Sequence, residues 1–140
     1  MKDVENLIPH RKPFLFVDRL EKCTEEEIIG YKKFGKDEFF FKGHFPEYPV
    51  VPGVILVETM AQCGGAGIVE LKNGGAGLFF LGTIVKAKFK KQVRPGDEVK
   101  LVIENLRISE NVIRQSGKAM VGDELAASAE WMCVVDSSTK

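Results

Sequence analysis

Two side chains in this 140-residue sequence have the type and setting for acid/base chemistry, His44 and Glu58. Histidine titrates near neutral pH, and apolar surroundings help a carboxyl group keep its proton, so the pair can exchange protons with a substrate. His44 lies in Gly43-His44-Phe45-Pro46-Glu47-Tyr48-Pro49-Val50-Val51-Pro52-Gly53, where three prolines and two glycines surround one histidine. Proline fixes φ, so this is a stiff loop, and it runs directly into a helix whose first amides have no partner within the helix. His44 and the Gly53 amide can therefore face one ligand. Glu58 stands between Val57 and Thr59 in a run that otherwise reads as core. A buried carboxyl group must be compensated, and Gln62, four residues on and one helical turn away, can hydrogen-bond it.

Each residue alone has a plainer reading: His44 as a brace for the proline loop, Glu58 as a carboxylate that reaches solvent or an interface. Together, with a helix N-terminus between them, they make the stronger case. A Ser-His-Asp arrangement is weaker, because no serine lies near the loop and no G-x-S-x-G elbow occurs. A metal centre is weaker still, since the other histidine, His10, has no cysteine pair beside it, and Cys23, Cys63 and Cys133 are far apart in sequence. His10 and Arg11 read as structural, because nothing else titratable clusters with them in the sequence.

The elements that must position this pair are legible from pattern. Residues 54–71 contain no proline, follow Pro52-Gly53 and run into Asn73-Gly74-Gly75, which marks a helix with its start and stop. Its first turns are apolar on nearly every side, which predicts a helix buried in the middle of the fold. Segments 14–20 and 28–34 are rich in aromatic and β-branched residues and predict an opening pair of strands. Segments 78–90, 98–108, 112–121 and 125–135 predict four more, separated by Pro95-Gly96-Asp97, Ser109-Glu110-Asn111 and Gly122-Asp123-Glu124. One buried helix with two strands before it and four after implies an α+β protein whose curved antiparallel sheet wraps the helix. Neither a repeat nor a linker interrupts the chain before the polar tail 136–140, so residues 1–140 read as one domain.

Twenty basic and twenty acidic residues cancel, which removes the electrostatic argument for a nucleic-acid or membrane-surface protein. Charges stand near the N-terminus where a secretion signal needs an apolar run, and no uninterrupted apolar stretch approaches about twenty residues, so a cytoplasmic protein without membrane insertion is expected. Asn73-Gly74-Gly75-Ala76-Gly77 follows a helix rather than a strand and reads as a turn, so no nucleotide cofactor is expected. Lys86, Lys88 and Lys90 alternate along a predicted strand, with Lys91 and Arg94 beyond. Alternation would put the three ammonium groups on one face, as a solvated guard or as a dock for an acidic partner.

Gly43-His44-Phe45-Pro46, Pro49-Val50-Val51-Pro52-Gly53-Val54 and Glu58-Thr59-Met60-Ala61-Gln62 closely resemble the β-hydroxyacyl-acyl-carrier-protein dehydratase family of FabZ type. The likeness extends to Ile8-Pro9-His10-Arg11-Lys12-Pro13-Phe14 near the start and to Phe80-Leu81-Gly82, Lys88-Phe89-Lys90 and Arg94-Pro95-Gly96-Asp97 later. The resemblance implies the hot-dog fold, subunits paired edge to edge as a homodimer, often three such dimers together, and an active site at the dimer interface. His44 would then remove a proton beside the thioester carbonyl, oriented by the Val50 carbonyl, while the Gly53 amide polarises the thioester. Glu58, held by Gln62, would protonate the departing hydroxyl to leave a trans-2-enoyl product, with Phe45, Pro46 and Pro52 along the substrate tunnel. The implied partner is an acyl carrier protein whose 4'-phosphopantetheine arm bears the acyl chain, docked on Lys86, Lys88, Lys90, Lys91 and Arg94; no cofactor is implied. An acyl thioesterase and a non-catalytic carrier-binding subunit are the alternatives. Glu47-Tyr48 and the helix glycines Gly64, Gly65 and Gly67 depart from the family pattern; the glycines are read as sites of close packing.

Overall fold

The computed structural model describes residues 1–74 and 77–136; the Gly75-Ala76 part of the turn and the tail after Asp136 lie outside the described residues. Strands β1 (Arg19–Cys23), β2 (Glu27–Lys33), β3 (Leu78–Phe89), β4 (Glu98–Ile108), β5 (Val112–Val121) and β6 (Glu124–Asp136) form one sheet in the order β1-β2-β4-β5-β6-β3. Every neighbouring pair is antiparallel. Helix α1 (Gly53–Leu71) contacts all six strands, which only a sheet curved around it permits. This is the expected α+β hot-dog architecture. Burial alternates along β5 and β6, with Ile113, Gln115, Ala119, Ala127 and Trp131 turned inward, as a sheet with one covered face requires.

The helix is core along most of its surface: Met60, Cys63, Ala66 and Ile68 are fully buried. By length and composition it could span a membrane, but it is mostly buried within the sheet. It is not covered on every side, however, and this corrects the sequence expectation. Val54 is 74% exposed, and Glu58 and Ala61 continue the same stripe at helical spacing, only partly buried.

The sheet reaches the helix closely because of the helix glycines. A Cβ on Gly64 would lie 2.1 Å from the Gln115 amide, one on Gly67 would lie 2.4 Å from Ile28, and one on Gly65 would lie 2.9 Å from the Phe79 ring. Gln115 cannot swing aside freely. It accepts from Trp131 Nε1 at 3.1 Å and donates to the Gly64 carbonyl at 3.2 Å and to Asn105 Oδ1 at 2.8 Å, all within the core.

Two segments differ from their sequence reading. Residues 14–17 do not join the first strand, which starts at Arg19. Their backbone is bonded elsewhere: the Phe16 N–H donates to Gln62 Oε1 at 2.8 Å and the Phe14 carbonyl accepts from Gln62 Nε2 at 2.9 Å. A helix side chain thus takes the place of a strand partner. In β3 the register shifts between Val85 and Lys88, and Lys86 adopts φ 55°. The bulge inserts a residue and breaks strict alternation, so Lys86, Lys88 and Lys90 do not form one regular face.

Gly64→Ala should test the close packing. Alanine gains up to about 1 kcal/mol of helix propensity over glycine, yet overpacking against the bonded Gln115 should cost roughly 1–3 kcal/mol. The expected result is net destabilisation in a urea unfolding curve with unchanged slope.

Candidate active site

His44 is fixed from three directions. A 3-10 turn at Phe39–Lys42 precedes it, and the His44 N–H donates to the Phe40 carbonyl at 3.0 Å. Beyond it the loop is tied to the segment after β3, with Val51 N–H donating to the Val93 carbonyl at 2.7 Å and Tyr48 Oη to Gln92 Oε1 at 2.9 Å. The Arg94 guanidinium stacks over the Tyr48 ring at 4.3 Å, which gives Tyr48, one of the expected departures, a definite anchoring role. The imidazole Nδ1 is 3.1 Å from the Val50 carbonyl. A carbonyl only accepts, so in the neutral imidazole Nδ1 carries the proton and Nε2 the lone pair, the tautomer a general base requires.

The same hollow, about 520 Å³, is lined by His44, Val50, Gly53, Val54, Phe89 and Lys90 among others. Pro52 precedes the helix without a side-chain cap, and the first helix amides with an acceptor are those of Ile55 and Leu56, both to the Pro52 carbonyl. The Gly53 N–H has no acceptor among the described residues, so it is available to an anionic oxygen. A Cβ at Gly53 would meet the Phe89 ring at 2.8 Å, so any larger residue there would have to displace that ring.

Glu58 occupies a different hollow of about 280 Å³, with His10, Phe14, Gln62, Phe79 and Cys133 among its lining residues. Gln62 Nε2 donates to Glu58 Oε2 at 2.9 Å, as its helical spacing predicts. The same amide holds Phe14 and Phe16, so both of its N–H groups and its carbonyl are bonded. The Glu58 side chain is 25% exposed, less buried than an all-round core helix implied. His10 corrects the sequence reading: its Nε2 lies 3.7 Å from Glu58 Oε2, so a titratable group does cluster with it. Forty-eight residues separate the two, and no spacing rule reveals a contact made by chain return.

Within one chain, then, His44 and Glu58 line separate hollows. Of the remaining expected site residues, Phe45 is 62% exposed and rests its ring against His44, with centroids 4.5 Å apart. Pro46 borders a third hollow with Lys36, Lys42 and Arg94. Lys90 and Lys91 border the His44 hollow. Lys91 also pairs with Glu124 at 3.0 Å and Lys86 approaches Glu130 at 3.9 Å, while Lys88 and Lys90 have no ion-pair partner among the described residues.

Burial, and secondarily the Glu58 charge, pushes the Cys133 thiol up to about 11, and burial pushes Cys63 higher still. Neither is a ready nucleophile near neutral pH, where the thiolate fraction is very small. Iodoacetamide at pH 7.5 should therefore leave Cys63 and Cys133 unmodified in the folded protein, as read by intact mass. Gln62→Leu should lower stability by at least 1–3 kcal/mol in denaturant, roughly the cost of one stranded buried N–H, here that of Phe16.

Residues 8–130 match the family model described as a FabA-like domain. A relative from Clostridium kluyveri named 3-hydroxyacyl-[acyl-carrier-protein] dehydratase FabZ is 39% identical over 136 residues, covering 96% of this chain and 94% of the relative. One of the same name from Geobacillus thermodenitrificans is 41% identical over 133 residues, covering 94% and 92%. Among solved structures, the dehydratase heterocomplex ApeI:P from Xenorhabdus doucetiae superposes with a TM-score of 0.82 at 14% identity, covering 97% of this chain and 92% of that one. The near-full-length identity joins the fold and the His44 and Glu58 settings to one conclusion: this chain belongs to the FabA-like family, among its FabZ-type dehydratases.

Proposed function

We propose that the chain is a (3R)-hydroxyacyl-[acyl-carrier-protein] dehydratase that works as a homodimer, His44 of one subunit facing Glu58 of the other. The observation that carries this reading is where the two half-sites lie along β3. Phe79, Phe80 and Leu81, at the start of the strand, line the Glu58 hollow, and Phe89, at its end, lines the His44 hollow. β3 is a sheet edge and exposes Phe80 (54%), Ile84 (46%) and Phe89 (54%). An exposed apolar edge invites a strand partner. If two copies pair β3 with β3 in antiparallel fashion about a two-fold axis, the start of one strand meets the end of the other. That brings each His44 hollow to a Glu58 hollow.

In this arrangement His44 Nε2 takes the proton from the carbon beside the thioester carbonyl, and the released electron pair moves onto the thioester oxygen, stabilised by the Gly53 N–H. Such a donor is worth roughly 100- to 1,000-fold in rate. The pair then returns to form the double bond while the C–O bond to the β-hydroxyl breaks and Glu58 protonates the departing oxygen. Water and a trans-2-enoyl thioester result, and a proton passed from His44 back to Glu58 resets the site. The chemistry as written needs no cofactor.

The reading extends to one cytoplasmic domain; the resemblance implies that such dimers often assemble in threes. The carrier protein would place its 4'-phosphopantetheine arm at the His44 hollow, where Lys90 and Lys91 stand, and Phe45, Pro46 and Pro52 would flank the acyl chain. Hydrolysis is the rival reaction on this scaffold, and its free-thiol product separates it from dehydration.

Subunit mixing tests the proposal. His44→Ala and Glu58→Gln should each abolish formation of the enoyl thioester, losing at least about 100-fold as expected for removal of a general acid or base. Refolded together in equal amounts, they should regain about a quarter of wild-type activity, because half the dimers are mixed and each mixed dimer has one intact site of two. No recovery would place both groups within one subunit; thiol release would indicate a thioesterase. A second measurement addresses docking: Lys88→Glu with Lys90→Glu should raise KM for carrier-bound substrate while sparing a small pantetheine thioester.

A further inference from the structure

We infer that His10 is a positioning residue for Glu58, one that decides which oxygen of the carboxyl group carries the transferable proton. The inference rests on the dehydratase reading of Glu58 and goes beyond it. Two donors converge on one oxygen: Gln62 Nε2 at 2.9 Å and His10 Nε2 at 3.7 Å both address Oε2, and Oε1 has no partner among the described residues. An oxygen that accepts from one N–H group and faces a second is the poorer place for the acid proton. In the protonated carboxyl group the O–H is therefore at Oε1, the oxygen free to meet a substrate. When the proton leaves, the negative charge finds the Gln62 donor in place at Oε2 and the His10 donor beside it, so only a small closure completes the second contact.

The buried side of the imidazole supports this role. His10 Nδ1 is shielded from solvent and has no hydrogen-bond partner in the structure. A buried polar atom without a partner is costly. An apolar side chain would fill this wall between Ile8 and Phe14 without that cost, so packing alone does not account for a histidine here. The use that remains is at Nε2, which in the tautomer protonated there directs its N–H at Glu58. The separation of 3.7 Å is longer than a formed hydrogen bond, as catalytic contacts often are before substrate is bound. The ring is held in place by its neighbours: Arg11 donates to the carbonyls of Ile8 and His10 at 2.9 and 2.6 Å and to that of Glu5 at 2.9 Å, fixing the backbone turn that carries it.

Two near-isosteric substitutions separate this role from packing. Glutamine places its amide nitrogen where histidine has Nε2, and asparagine places it where histidine has Nδ1. His10→Leu should lower kcat for dehydration by about tenfold or more, the loss expected when a hydrogen bond to a charged group is removed, with KM little changed. His10→Gln should recover most of that loss, and His10→Asn should not. In the Glu58→Gln background, His10→Leu should cause no further decrease in the residual rate, because the histidine acts through the carboxyl group. Thermal melts and dimer content, measured on each variant, identify any that do not fold; the glutamine and asparagine forms keep the comparison intact if the leucine form fails. Equal activity of all three His10 variants with wild type, or rescue by asparagine rather than glutamine, would overturn the inference and leave the dehydratase reading standing. Full activity of Glu58→Gln would instead overturn that reading.

Discussion

The amide group of Gln62 is the joint on which the site depends. Its three hydrogen bonds reach the carboxyl group of Glu58 and the backbone of Phe14 and Phe16. Without them the segment before β1 would have a buried N–H and no strand beside it, and Glu58 would lose its close donor. Because one planar group makes all three contacts, the orientation of the carboxyl group and the position of the N-terminal segment are not independent. That segment carries Ile8, His10 and Phe14, part of the wall around Glu58. A buried polar group of the helix thus builds the site from the inside, and the aromatic cluster of Phe14, Phe16, Phe39 and Phe40 packs over the result.

Much of this was readable from the amino acids, and the reasons are local. The bounds of β4 and β5 coincide with their pattern because turn residues stand on both sides of each. The helix follows from Pro52-Gly53 and an unbroken apolar run, and the Glu58–Gln62 contact follows from helical spacing. What escaped was set by tertiary contact. Phe14 to Val17 look like a strand by composition, but their hydrogen bonds are taken by a helix side chain. The bulge at Lys86 has no glycine or proline to announce it. His10 meets Glu58 only because the chain returns over the helix, and the open stripe through Val54 is apolar like the rest of the helix, so its sequence cannot say that it lacks a cover.

The two hollows divide the chemistry in a physically sensible way. The His44 hollow offers a fixed lone pair and an unpaired amide, groups suited to a carbon losing a proton and an oxygen gaining charge. The Glu58 hollow is walled by Ile8, Phe14, Phe79 and Leu81 and is better suited to an apolar chain. In the proposed dimer the two groups would meet only across the subunit contact.

The contact between Gly53 and Phe89 has a consequence for how the sequence can change. Three atoms of that ring lie within 3.0 Å of where a Cβ on residue 53 would sit. A side chain at position 53 is therefore accommodated only if the Phe89 ring shifts or position 89 becomes smaller. The two sites are epistatic: a smaller residue at 89 would make alanine at 53 tolerable, while alanine at 53 alone would push the ring toward the strand edge. A change at position 53, on the wall of the His44 hollow, is therefore easiest alongside a change on β3.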